Sequence, residues 1–194
     1  FGSDTRAIGE SATAIGALAS ASGAFSTAVG KGSSATDIQA SAFGSDSTAT
    51  GVYATAIGAA ASASELDSSA VGAGAYASGT ASSAFGSDSR ADGERSTALG
   101  AQAYATGTGS VAIGSSATAV AFGGFGSVAI GDGASATGGG VSIGYMAMSS
   151  DPGTAVGTNS SAMGDDASAL GFESNAGGDF ATAVGSSASA TGTA

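Results

Sequence analysis

The chain has 194 residues, 35 of them glycine, with four Lys or Arg against fifteen Asp or Glu and a net charge of −11. That balance leaves no basic patch for nucleic acid or an anionic membrane surface, and the absence of His and Cys removes imidazole catalysis, thiolate metal sites and disulfides. With eight Phe, four Tyr and no Trp the side chains are too small for an ordinary globular core, yet 10% charged residues and a single proline, Pro152, are unlike a solvated linker.

Taken in chain order, a triplet of small residue, apolar residue and glycine recurs from end to end. After Phe1-Gly2 it stands at Ala14-Ile15-Gly16, Ala28-Val29-Gly30, Ala42-Phe43-Gly44, Ala56-Ile57-Gly58, Ala70-Val71-Gly72, Ala84-Phe85-Gly86, Ala98-Leu99-Gly100 and Ala112-Ile113-Gly114, always 14 residues apart. The next apolar residue, Ile130, comes after 17 residues; Ile143 and Val156 follow at steps of 13, and Leu170 and Val184 at steps of 14. Halfway through each unit a polar version appears, as in Ala21-Ser22-Gly23, Ala49-Thr50-Gly51 and Ala77-Ser78-Gly79.

Two seven-residue halves, each a strand of about five residues and a tight glycine-containing turn, predict a β-solenoid whose coils hydrogen-bond to one another. Glycine at this density excludes helix, and the local alternation has period two. Alternation also assigns the faces. After Ile15 the same-facing residues are Ala19, Ala21, Ser26 and Ala28; after Leu99 they are Ala103, Ala105, Ser110 and Ala112. Small residues at all four positions predict a thin interior. The apolar residue and its partner two places earlier, as in Thr27 with Val29 or Val111 with Ile113, must then face outward.

Phe1, Ile15, Val29, Phe43, Ile57, Val71, Phe85, Leu99, Ile113, Ile130, Ile143, Val156, Leu170 and Val184 are therefore expected to form one exposed stripe. A stripe of that length on a soluble molecule needs a cover, and copies of the chain closing about a rotation axis supply one. Either a dimer or a larger ring satisfies that requirement.

The Ser/Thr-x-Ala-apolar-Gly units resemble the head repeats of trimeric autotransporter adhesins of the YadA-like type. The likeness is strongest at Ser110-Val111-Ala112-Ile113-Gly114 and Ser127-Val128-Ala129-Ile130-Gly131. The resemblance implies an all-β, left-handed parallel β-roll of 14-residue coils, homotrimeric, with the stripe as trimer interface. It further implies a surface adhesin head that attaches to host-cell or extracellular-matrix protein, with no cofactor and no catalysis. Export and outer-membrane attachment through a C-terminal anchor belong to the parent protein. Residues 1–194 are then one head domain and a piece of a longer chain. A structural spacer and an ice-binding solenoid are the alternatives.

Departures from the repeat mark candidate contact sites. Val120-Ala121-Phe122-Gly123-Gly124-Phe125 carries the three-residue insertion, and Phe122 and Phe125 are candidate ligand contacts. Five places past the apolar residue, successive coils align Tyr76, Arg90 and Tyr104, an aromatic and cationic ladder suited to partner contact. Asp165-Asp166 and the pair Glu65 and Asp67 fall where turns are expected, and Lys31 has no motif that would make it catalytic.

Overall fold

The structure, a computed structural model, describes residues 2–121, 124 and 126–192. The chain divides into two units, Phe1–Arg95 and Ser96–Ala194. Each is an all-β parallel solenoid in which successive strands alternate between two sheets.

In the first unit, one sheet holds Thr13–Ile15, Thr27–Val29, Ser41–Phe43, Thr55–Ile57, Ser69–Val71 and Ser83–Phe85. The other holds two-residue strands from Arg6–Ala7 through Ser20–Ala21 and Ser62–Ala63 to Arg90–Ala91. Every pairing is parallel and keeps repeat against repeat: Ile15 faces Val29, Val29 faces Phe43, and Phe43 faces Ile57. In the second unit the first sheet runs from Thr97–Leu99 and Val111–Ile113 to Thr182–Val184, and the second from Tyr104–Ala105 to Ser189–Ala190. Its irregular steps leave the register intact, since Ile113 pairs with Ile130, Ile130 with Ile143, and Ile143 with Val156.

Strands of about five residues are not what forms. They have two or three residues, because each half coil gives a full β-turn to its corner. At the first corner, after the apolar residue, Ala19 N–H donates to Gly16 O at 3.2 Å and Leu18 is left-handed at φ 61°. At the second, Ser26 N–H donates to Gly23 O at 3.2 Å and Phe25 is left-handed at φ 59°. These conformations cost a non-glycine residue about 1 kcal/mol. Coil-to-coil hydrogen bonds through the corners offset that cost, such as Leu18 N–H to Ser3 O at 2.9 Å and Phe25 N–H to Glu10 O at 2.7 Å.

The interior between the sheets is as thin as the alternation predicts. Ala19, Ala21, Ser26 and Ala28 are wholly buried, as are Ala103, Ala105, Ser110 and Ala112. The bulkiest side chains fully removed from solvent are serines. Most of their hydroxyls find partners nearby: Ser33, Ser47 and Ser89 donate to the carbonyls of Gly30, Gly44 and Gly86 at 2.9 to 3.0 Å. The spacing admits a methyl or a hydroxyl on each side and nothing branched.

Candidate interaction surfaces

With alanine filling the interior, every larger apolar side chain among the described residues is at least partly exposed. Along the first sheet of the first unit, Ile15, Phe43, Ile57 and Phe85 are exposed and Val29 and Val71 half-buried. In the second unit Leu99, Ile143, Leu170 and Val184 are exposed, and Ile113, Ile130 and Val156 half-buried. Phe1 lies outside the described residues. The pairing stacks these side chains coil upon coil at about 4.8 Å, so each unit presents an unbroken apolar column.

A second column on the same face consists of the residues two places earlier. In the first unit it is hydroxylic: Thr13, Thr27, Ser41, Thr55, Ser69 and Ser83. In the second it turns apolar at Val111, Val128 and Val141 before returning to Thr154, Ser168 and Thr182.

The outward face of the second sheet is mostly Ser and Thr, and its distinctive group is at the end of the first unit. Arg90 pairs in register with Tyr76, and its guanidinium carbon stands 5.1 Å from the centre of the Tyr76 ring. Its Nε donates to Asp92 Oδ2 at 2.6 Å, while Asp92 Oδ1 accepts from Ser78 Oγ at 2.7 Å. The expected cation–π contact with Tyr76 is therefore made, and the Asp92 carboxylate also holds the cation. Tyr104 belongs to the second unit, where it pairs with Thr118. The insertion separates Thr118–Val120 from Val128–Ile130; Phe122 and Phe125 lie outside the described residues.

Alternation did not reveal the apolar residues on the corners. Phe25, Ile38, Tyr53 and Leu66 are 54, 45, 49 and 44% exposed, on the second corner of consecutive coils in the first unit. In the second unit Tyr145 and Met146, and Phe172, are exposed on first corners, and Phe180 on a second corner. The signal was present as a large apolar residue two or three places past the stripe residue on a first corner, or nine or ten places past it on a second, where period-two reading stops at the turn. Glu65, Asp67, Asp165, Asp166 and Pro152 all lie in turns, as expected. Among the described residues no group of three or more potential metal ligands is assembled, and no helix is long and apolar enough to cross a membrane.

The sequence matches the model of the YadA head domain repeat in eleven segments, most of them overlapping, from residues 7–33 to 176–194. No curated protein matches it. Among solved structures it is similar to the collagen-binding domain of the Yersinia adhesin YadA: 31% identity over 72% of this chain, with a TM-score of 0.40. This chain spans 62% of that domain. The repeat that stacks its alanines inside and its stripe outside is thus a known one, and the chain belongs to the YadA head-domain repeat family.

Proposed function

We propose that this chain is the head of a trimeric bacterial surface adhesin, in which three copies bury their first-sheet columns around a common axis. The observation that carries this reading is the in-register apolar column on each unit. Burying the exposed part of each stripe side chain contributes about 1–2 kcal/mol. A dozen such contributions per chain exceed the roughly 4–15 kcal/mol that association costs.

With the first sheets turned inward, the second sheets face outward in three copies, so that weak contacts add as avidity. The proposed partner is an extracellular-matrix or host-cell protein of the collagen type, since the similar Yersinia domain is collagen-binding. Tyr76 and Arg90 on the first unit, and separately Tyr104 on the second, are the proposed contact residues, because Tyr and Arg supply rigid, partly apolar contact area. The parent protein is placed on the bacterial surface, held there by a C-terminal membrane anchor, and the role requires no catalysis.

Sedimentation and immobilised collagen test the two halves of this reading. The chain should sediment as a trimer, and Tyr76→Ser/Arg90→Ser/Tyr104→Ser should remain trimeric while losing at least tenfold in collagen affinity. A folded monomer refutes the adhesin head; unchanged binding by the triple variant removes these contact residues.

A further inference from the structure

Three consecutive first corners of the second unit differ from all the others. Two places past the stripe residues Ile143, Val156 and Leu170 stand Tyr145, Thr158 and Phe172, and one place further Met146, Asn159 and Glu173. Among the described residues, Tyr145 and Phe172 are the only aromatic residues on a first corner.

The backbones beneath these side chains are alike. Asn159 N–H donates to Tyr145 O at 2.8 Å, and Glu173 N–H donates to Thr158 O at 2.9 Å. Met146, Asn159 and Glu173 share the left-handed conformation, at φ 50°, 57° and 53°. Tyr145 and Phe172 thus leave equivalent points of two coils, separated by two steps of about 4.8 Å. Each is 51% exposed, so the coil supports part of the side chain and the rest is free for contact. The side chains of Thr158, Asn159 and Glu173 make no hydrogen bond or ion pair among the described residues.

Two aromatic rings beside an open hydroxyl, amide and carboxylate suit a ligand with apolar faces and a polar rim, which is the chemistry of a sugar. A pyranose with equatorial hydroxyls turns a face of C–H bonds to the electron-rich face of an aromatic ring, while its rim hydroxyls donate and accept hydrogen bonds. A β-1,4-linked glycan is extended and presents the same face at every second sugar, a span close to two coil steps. Tyr145 and Phe172 each take one such face, and Thr158, Asn159 and Glu173 supply partners for the hydroxyls between. Charge narrows the class further. The second unit has no Lys or Arg, and Asp132 and Glu173 are exposed on its first corners, so a sulfated or carboxylated glycan is repelled. We infer that the first corners bearing Tyr145, Thr158, Asn159, Phe172 and Glu173 form a binding site for a neutral β-1,4-linked glycan. The site lies within one unit of one chain and does not rest on the trimeric reading.

Calorimetric titration of the chain with cellohexaose, chitohexaose and maltohexaose tests this inference. Cellohexaose and maltohexaose share composition and charge and differ in linkage. At least one of the two β-1,4-linked probes should bind about tenfold more tightly than maltohexaose, whose α-1,4 linkages curve it away from a straight row of rings. Tyr145→Ala/Phe172→Ala should weaken that binding about tenfold while melting, sedimentation and collagen binding stay native, because both rings lie outside the interior. Tyr145→Trp should retain the binding and report it through indole fluorescence. Neither β-1,4-linked probe binding better than maltohexaose overturns the inference, as does unchanged binding by the double variant. A double variant that loses association between copies also overturns it, by assigning the rings to that interface.

Discussion

The two corners of each coil obey different rules. At the first corner the step from stripe residue to second-sheet strand is the same throughout: Ile15 to Ser20, Ile113 to Thr118, Ile143 to Met148 and Leu170 to Asn175 are all five residues. A glycine follows the stripe residue each time, and Gly58 shows why. It has φ 132°, and a β-carbon there would stand 2.3 Å from the Gly72 carbonyl oxygen of the next coil. The second corner takes every change of length. The insertion separates Val120 from Val128, and the 13-residue coils are shortened between Thr137 and Val141 and between Ser149 and Thr154. It also takes Asp37 and Glu65 at the place where Gly23 and Gly51 stand in neighbouring coils. A required backbone conformation is stricter than a crowded contact, because a neighbouring backbone can shift to relieve crowding but cannot make a side chain tolerate the wrong φ.

Glycine substitution gives the largest expected difference between the corners. Gly58→Ala combines the forbidden conformation with the overlap on Gly72 and should cost about 3–5 kcal/mol in urea unfolding. Gly51→Ala meets an overlap that is closer still, 2.1 Å from the Glu65 carbonyl oxygen, but at an ordinary φ. Since Asp37 and Glu65 form the same turn, with Ala40 N–H and Ser68 N–H each donating to their carbonyls at 3.1 Å, Gly51→Ala should cost about 1 kcal/mol. Equal losses would show that crowding, not backbone conformation, sets the rule.

Length gives the next contrast. Three residues, Gly-Ser-Gly, inserted after Val52 should lower stability by only about 1 kcal/mol, as a modest extension of a surface loop does. The same insertion after Ala59 interrupts the turn that holds Gly58 over Gly72 and should separate the coils on either side. Proteolysis at the inserted site reads this directly, with rapid cleavage into two fragments expected only for the first-corner variant. If both variants resist equally, the first corner is not the rigid one.

The period, the alanine and serine interior and the outward stripe were legible because each is a composition signal at fixed spacing. Ala28 between Thr27 and Val29 can sit only one way in a strand once Ala19 and Ala21 face it. The corners were not legible, because the left-handed position carries no signature: Leu18, Phe25, Tyr53, Ala60 and Arg95 all occupy it. Their conformation is fixed by the coil beneath, through bonds such as Tyr53 N–H to Ile38 O, and not by residue type. Hence strand length was overestimated, and alternation assigned no face to Phe25, Ile38, Tyr53 and Leu66, which lie in those turns. The Tyr76–Arg90 contact was foreseeable from register, whereas the part played by Asp92 required its side chain to be seen turning back toward Arg90.

The smallest expected effect lies behind the second corner, among serines that share one place in the coil and differ in what they bond. Ser68 Oγ donates to Glu65 O at 2.6 Å and accepts from Glu65 N–H at 3.2 Å, bracing a corner that has no glycine. Ser26, buried at the corresponding place beside Gly23, has a hydroxyl with no partner. Ser68→Ala should therefore lose about 1 kcal/mol, whereas Ser26→Ala removes an unpaired buried polar group and should be neutral or stabilising by about 1 kcal/mol. Thermal unfolding of the two variants side by side measures the contrast. Equal and opposite shifts around the native midpoint would mean that the hydroxyl braces the second corner where the acidic residue replaces glycine. Two equal losses would mean instead that Ser26 also bonds in solution, and that the corners with and without glycine are held alike.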